Sequence, residues 1–384
     1  MKNFKKLTAM ILVFIIALST AACSLTPQWS YKTEDTELPI GVYIYALYSA
    51  YSQAESLAQQ TEGYDSEAQT YDGEKSFLNV EITDEEGVTA TADQWIMDQA
   101  DKSLRNILAI EHEFERLGAT IDEATMQGYE ATAKEYWDYG PYYSMYGEQY
   151  ISPYKDIFEP LGVSYESFEY FYVTSAKQEV IFDTLYAQGG EKGVSTEELT
   201  SYFEDNYTSY TYFNQSLYET KEETNEDGEP ESVSVALSDK EIKKIESNFE
   251  GYVADANAGK DIDSIVKKFM KDDELENDPS VKNVEVMDDS SIGEDLVNAI
   301  NDLKEGEASY KKIGEENSQL MYFFYKEPIS KQTKNYIDDE ANRKSVLQNM
   351  KGEDFTDYID SIAASLSIEV SKAASKLSPE MFEA

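Results

Sequence analysis

Histidine and cysteine are almost missing from this chain: one of each stands among its 384 residues. A single cysteine allows no disulfide within the chain, so stability has to come from packing. A single histidine, His112, leaves no His-rich metal site and no second imidazole for a proton relay. It stands among Glu111, Glu113 and Glu115 on a helical stretch, where a surface or boundary position is expected. Basic residues are scarce too, with 32 Lys and Arg against 76 Asp and Glu and a net charge of −44. That balance excludes nucleic acid, whose phosphates are neutralised by Lys and Arg, and it opposes lying flat on anionic lipid. There is no Ser-nucleophile motif, no phosphate-binding Gly loop and no dinucleotide fingerprint. Asp272-Asp273-Glu274, the run Glu219–Glu231 and Asp288-Asp289 lack the loop grammar of an EF-hand, so they read as solvated acidic loops. Neither a metal nor any other cofactor is expected.

The N-terminus carries an address. Lys2, Lys5 and Lys6 precede an apolar run from Leu7 to Leu18, and small residues then lead to Cys23. These are the parts of a secretory signal peptide, and the run is shorter than the ~20 residues a membrane span needs. Ala21-Ala22-Cys23 resembles a bacterial lipobox, with Thr20 where a Leu is usual. The resemblance implies that residues 1–22 are removed and that Cys23 is lipidated. The protein is then extracytoplasmic, held on the cell membrane of a Gram-positive-type envelope by that anchor alone. Residues 23–38, polar and containing Pro27, read as a tether.

With 41% hydrophobic and 13% aromatic residues the rest is no disordered acidic tail, and its length suits two domains. Helical spacing starts at Ile40, with Tyr43, Leu47 and Tyr51 on one face. Residues 61–86, rich in Gly and Asp, read as an excursion. Ile96, Ala100, Leu104, Ile107 or Leu108, Glu111 and Phe114 trace a second helix that Gly118 stops. Three junctions, Leu117–Asp122, Leu161–Glu166 and Lys192–Glu197, share one grammar: Gly ends a helix and Ser or Thr caps the next. Tyr212–Tyr218 and Leu320–Tyr325 read as strands, and Ser238 and Asp261 open further helices. Helices return over Gln332–Met350 and Asp354–Leu366, and Ile368 with Val370 suggests a last strand before a frayed tail. The expected fold class is α+β and mostly helical.

Tyrosine is abundant, at 30 residues, and it concentrates between Tyr129 and Tyr172. Tyr136, Trp137, Tyr139, Tyr142, Tyr143, Tyr146 and Tyr150 are the candidate contacts for unfolded polypeptide. Tyrosine offers large area at low entropic cost, with a hydroxyl that tolerates water. The alternative for the same rings is simple packing between helices.

The order of these parts resembles the parvulin-type foldase lipoproteins of the PrsA/SurA class. Gly193–Leu199 with Tyr202 and Asn206-Tyr207, Ala258–Ile262 with Ile265, Ile300 with Leu303–Glu307, Met321–Lys326 and Leu366–Val370 carry the resemblance. It implies a helical chaperone domain built from residues 39–210 and 329–371. A parvulin-like α+β lobe, residues 211–328, is inserted into it, and 372–384 form a tail. It also implies unfolded, newly secreted polypeptides as partners. Active parvulins carry histidines on two facing strands, and the matching positions fall near Gln215 and near Tyr322 or Phe323. None of these is His, so no catalytic residue is assigned and prolyl isomerase activity is expected to be weak or absent. A non-enzymatic ligand-binding or adhesive surface lipoprotein is the alternative reading.

Overall fold

The computed structural model describes residues 29–224, 230–287, 290–315 and 317–383. Cys23, the signal-peptide reading and Asp288-Asp289 lie outside them. Contacts divide the chain into two units, one of residues up to 191 together with 353 onward, the other of residues 192–352.

In the first unit, β1 (Trp29–Lys32) pairs antiparallel with β2 (Glu37–Pro39) and, on its other side, with the strand Glu369–Val370. Residues 29–38 are therefore folded, a correction to the expected tether. Tyr31 and Leu38 are buried, and the Ser30 hydroxyl donates to the Leu38 and Pro39 carbonyls at 3.1 Å each. α1 (Ile40–Ala58) packs against α2 (Ala92–Leu117) and α4 (Tyr165–Tyr186), while α3 (Glu123–Tyr139) lies on α4. The anticipated stripe of α2, Ile96, Ala100, Leu104 and Leu108, is buried, and Gly118 closes the helix in the left-handed conformation. Asp122 and Ser164 cap α3 and α4 through their side chains.

Two further expectations are corrected here. Residues 61–91 form two short hairpins that place Tyr71, Phe77, Leu78 and Ile82 in the core. The tail is packed as well: Ala374 is buried, and the Phe382 ring meets Tyr48 and Tyr51 edge-on at 5.4 and 5.3 Å. Helix Glu340–Ser365 is continuous where two segments were expected, and its second half belongs to this unit. There Phe355 meets Phe182 at 5.4 Å, and the Tyr358 hydroxyl donates to Glu113 Oε1 at 2.8 Å. Glu113 is almost fully buried and takes both arms of the Arg116 guanidinium at 2.7 Å.

The second unit opens with α5 (Thr196–Asn206), started by the Ser195–Glu198 capping box. An antiparallel sheet follows, built from β3 (Tyr207–Ser216), β6 (Val281–Val286), β7 (Glu307–Ile313) and β8 (Leu320–Glu327) in the order β6-β3-β8-β7. α6 (Asp239–Asn257) and α7 (Ile262–Asp272) cover one face, where the Phe213 ring stacks on Phe323 at 4.6 Å and on Phe269 at 4.3 Å. α8 (Glu294–Asn301) covers the other, with Leu296 and Ile300 against Tyr210 and Phe324.

The acidic run expected as a loop instead contributes both arms of a hairpin, β4 (Tyr218–Thr224) and β5 (Pro230–Ala236), in register from Tyr218↔Ala236 to Thr224↔Pro230. β-Branched Thr220, Val233 and Val235 supply strand preference that the acid count conceals. The unit also reaches beyond the expected limits of 211 and 328. Phe203 of α5 stacks on Tyr336 at 4.8 Å, and Asn349 donates to the Tyr207 hydroxyl at 2.6 Å. These contacts carry residues 192–210 and 329–352 into the lobe. The fold is α+β and mostly helical.

Candidate functional site

The aromatic run divides at the end of α3. Ala133 and Trp137, one helical turn apart, face inward, and the Trp137 indole lies 5.3 Å from the Phe168 ring. Tyr136 is half-buried between Tyr154 and Tyr172, nearly perpendicular to both. These two candidates are packing residues, a correction to their expected role as contacts.

From Tyr139 onward the chain turns outward. Gly140 (φ 89°, ψ 169°) and Gly147 (φ 78°, ψ −165°) occupy a backbone region open essentially to glycine alone. A Cβ on Gly140 would stand 2.2 Å from the Ser152 carbonyl oxygen. The base of the loop is pinched there, with Ser152 N–H donating to the Tyr139 carbonyl at 2.9 Å. Between these points the rings touch mainly each other: Tyr139 stacks on Tyr143 at 4.6 Å, and Tyr146 lies 5.0 Å from Tyr150. Met145 is 70% exposed, Tyr142 57%, Tyr146 52% and Tyr150 50%, with Ile151 exposed beside them. Large apolar groups exposed together mark an interaction surface.

A second feature runs along the outer face of α1. Glu55 is the one charged side chain among its nineteen residues. Ser49, Ser52, Gln53, Ser56 and Gln60 are all exposed there. They border a groove of about 760 Å³, which continues into a cavity of about 410 Å³ sharing Tyr45, Ser49, Gln53 and Gln99. Tyr45, Tyr48 and Phe158 line it with rings. Tyr45 is wedged against Phe158, Phe168 and Phe171 at 4.5–5.3 Å, and burial pushes its hydroxyl up to about 12.

The hairpin turn Asp84–Glu86 forms part of the groove's wall. Trp95 Nε1 donates to Asp84 Oδ2 at 2.9 Å and Val88 N–H to Asp84 Oδ1 at 2.8 Å, and these bonds hold the Asp84 carboxyl below its ordinary range. Sequence reasoning missed this groove. Its signal was present as an uncharged helix face in a chain that is 28% charged.

Of the two alternatives for the last-strand parvulin position, only Phe323 shares a sheet face with Gln215. Gln215 pairs with Met321 and Asn214 with Tyr322, so Gln215 and Phe323 share one face of the sheet while Tyr322 points to the other. Phe323 is fully buried in the α6–α7 core. Gln215 donates to Asp273 Oδ1, and burial raises that carboxyl above its ordinary range. Tyr322 lies beside Tyr212, with ring centres 6.0 Å apart. A cavity of about 470 Å³ near the α6–α7 junction is bordered by Lys260, Lys282 and Lys331, paired with Asp255, Asp263 and Glu327. His112 is exposed on α2. Among the described residues no group of three or more His, Cys, Asp or Glu is placed to hold a metal ion, and no helix is long and apolar enough to cross a membrane.

No family model matches this chain, and none of the curated proteins matches it. Two of the solved structures it resembles are of PrsA foldases. The foldase protein PrsA from Streptococcus pneumoniae strain Canada MDR_19A is similar at 16% identity with a TM-score of 0.34, over 74% of this chain and 93% of that one. PrsA from Bacillus subtilis is similar at 12% identity and a TM-score of 0.21, over 72% and 93% respectively.

Proposed function

We propose that this protein is an extracytoplasmic, lipid-anchored, foldase-like chaperone that holds unfolded, newly secreted polypeptides. The observation that carries the reading is the loop from Tyr139 to Ile151, where four tyrosines, a methionine and an isoleucine stand in solvent on a glycine-hinged, pinned base. Such rings give area without demanding a particular sequence. The net charge of −44 attracts basic clients over distance and keeps a loaded complex soluble. The anchor is read from Cys23.

The second unit is read as a parvulin-like lobe with little or no isomerase activity. Prolyl isomerisation faces a barrier of roughly 18–20 kcal/mol, and a catalyst must favour the twisted amide over both planar forms. On the sheet face that holds Gln215, Phe323 is packed among Phe213, Phe249 and Phe269, and no histidine stands at either matched strand position.

The test is light scattering from a denatured client protein diluted into buffer with the purified protein. Suppression of aggregation is expected, and the triple variant Tyr142→Ser, Met145→Ser, Tyr146→Ser should lose most of it while melting at the same temperature. Full protection by that variant, or none by the parent, sinks the reading. Acceleration of a proline-limited refolding phase would overturn the account of the lobe.

A further inference from the structure

The α1 groove has walls unlike the surface around it. Successive turns of α1 present Ser49, Ser52 with Gln53, and Ser56, and Gln60 follows in the turn just beyond the helix. Ser56 Oγ donates to the Ser52 carbonyl, Gln53 Nε2 to Ser49 Oγ and Gln60 Nε2 to the Ser56 carbonyl, which leaves the Ser49 and Ser52 hydroxyls and the second amide hydrogens and the amide oxygens of both glutamines for a ligand. From Ser49 along α1 and through the turn to Gln60 the wall runs about 16 Å at ~1.5 Å per residue, the span of about five residues of extended polypeptide. Rings of Tyr45, Tyr48 and Phe158 offer apolar contact between these polar groups. Trp95 is almost fully buried with its N–H committed to Asp84, so it offers no open face for a sugar ring.

The charged residues of the lining come from the hairpin turn and from α2, none from α1. Lys102 borders the groove but is paired with Asp360 at 3.5 Å. Glu85 and Glu86 are exposed at the hairpin turn, and among the described residues no cation pairs with either. We propose that this groove binds an extended polypeptide segment of about five residues, with a basic side chain set against Glu85 and Glu86. The proposal deepens the chaperone reading and rests on it, since it names the chemistry of the segment held. The seryl and glutaminyl groups pair with the backbone of the segment, which is common to every sequence. The acidic turn then sets the register.

Fluorescence anisotropy of the purified protein tests this with labelled six-residue peptides of one neutral sequence, carrying a lysine at the first position, at the last, or at neither. One of the two lysine peptides is expected to bind about five- to tenfold tighter than the neutral one, as two solvent-facing ion pairs allow, and salt should erase the gain. Glu85→Gln with Glu86→Gln should remove the preference and leave the affinity for the neutral peptide unchanged. Ser52→Trp, an exposed position, should fill the groove and weaken all three peptides at least about tenfold, whereas Ser52→Ala should cost about threefold, one neutral hydrogen bond.

Binding indifferent to Ser52→Trp overturns the groove as the site, and a lysine preference that survives the double Gln variant overturns the role of the acidic turn. Displacement of the peptides by a neutral oligosaccharide overturns the ligand class. The loop variants of the aggregation assay leave α1 untouched, so failure of that assay with peptide binding intact refutes only the broader reading.

Discussion

Glu113 sits out of water between the Arg116 fork and the Tyr358 hydroxyl, so its charge is tolerable only while those partners stay. Arg116→Ala is expected to cost about 2 kcal/mol, below the usual ~3–5 for breaking a buried pair because the guanidinium is itself partly exposed. Adding Glu113→Leu should recover part of that loss, and urea midpoints of the three proteins check both statements. Two positions in the second unit carry the opposite lesson. Gln215→His with Tyr322→His is expected to give no acceleration of proline-limited refolding, because alternate strand positions send the two rings to opposite faces. Proximity along a motif is no guide to convergence when the count along a strand is off by one.

At the scale of elements, the Tyr139–Ser152 loop depends on its first glycine. Gly140→Ala adds a Cβ that collides with the Ser152 carbonyl in a backbone region costing about 1–3 kcal/mol for other residues. The pinch at Tyr139–Ser152 should open, which faster limited proteolysis between residues 140 and 152 would report, while the buried stripe of α2 keeps its protection. Helices were the legible elements. The stripe of α2, the Gly118 stop and the Ser195–Glu198 box follow from neighbours a few residues apart, and each has its physical cause in view. Strands were less so. β3 is buried on both faces, with Tyr210 on one and Phe213 on the other, so the alternation that marks a strand is lost. The β4–β5 hairpin was concealed by its acids, and β1 by a partner at the far end of the chain. In the aromatic run, composition alone does not separate Trp137 from Tyr142. The helical phase of Ala133 and Trp137 does so for the first, and the two strained glycines do so for the second.

At the scale of the whole molecule, tyrosines resist ionisation in both units. Burial, aided by Glu55 at Tyr51 and by the Glu285 carboxylate at Tyr210, lifts Tyr45, Tyr51 and Tyr210 from 10.0 to about 12. Because the folded values are the higher ones, this stability is complete below pH 10 and is lost as pH rises from 10 to about 12, where the unfolded chain alone gives up its protons. The part of the tyrosinate absorbance that comes from these buried rings should therefore rise together with the loss of far-ultraviolet dichroism in that window, apart from the signal of the solvent-exposed loop tyrosines.

The pairing of Trp29–Lys32 with Glu369–Val370 also sets an order of events. Synthesis begins at the N-terminus, so β1 leaves the ribosome long before the strand that completes its sheet. Residues 192–352 are contiguous and can settle as soon as they emerge. The outer edge of β1 stays open until Glu369–Val370 arrive. A stop codon ahead of Glu369 would leave residues 192–352 able to form while β1 lacked that neighbour.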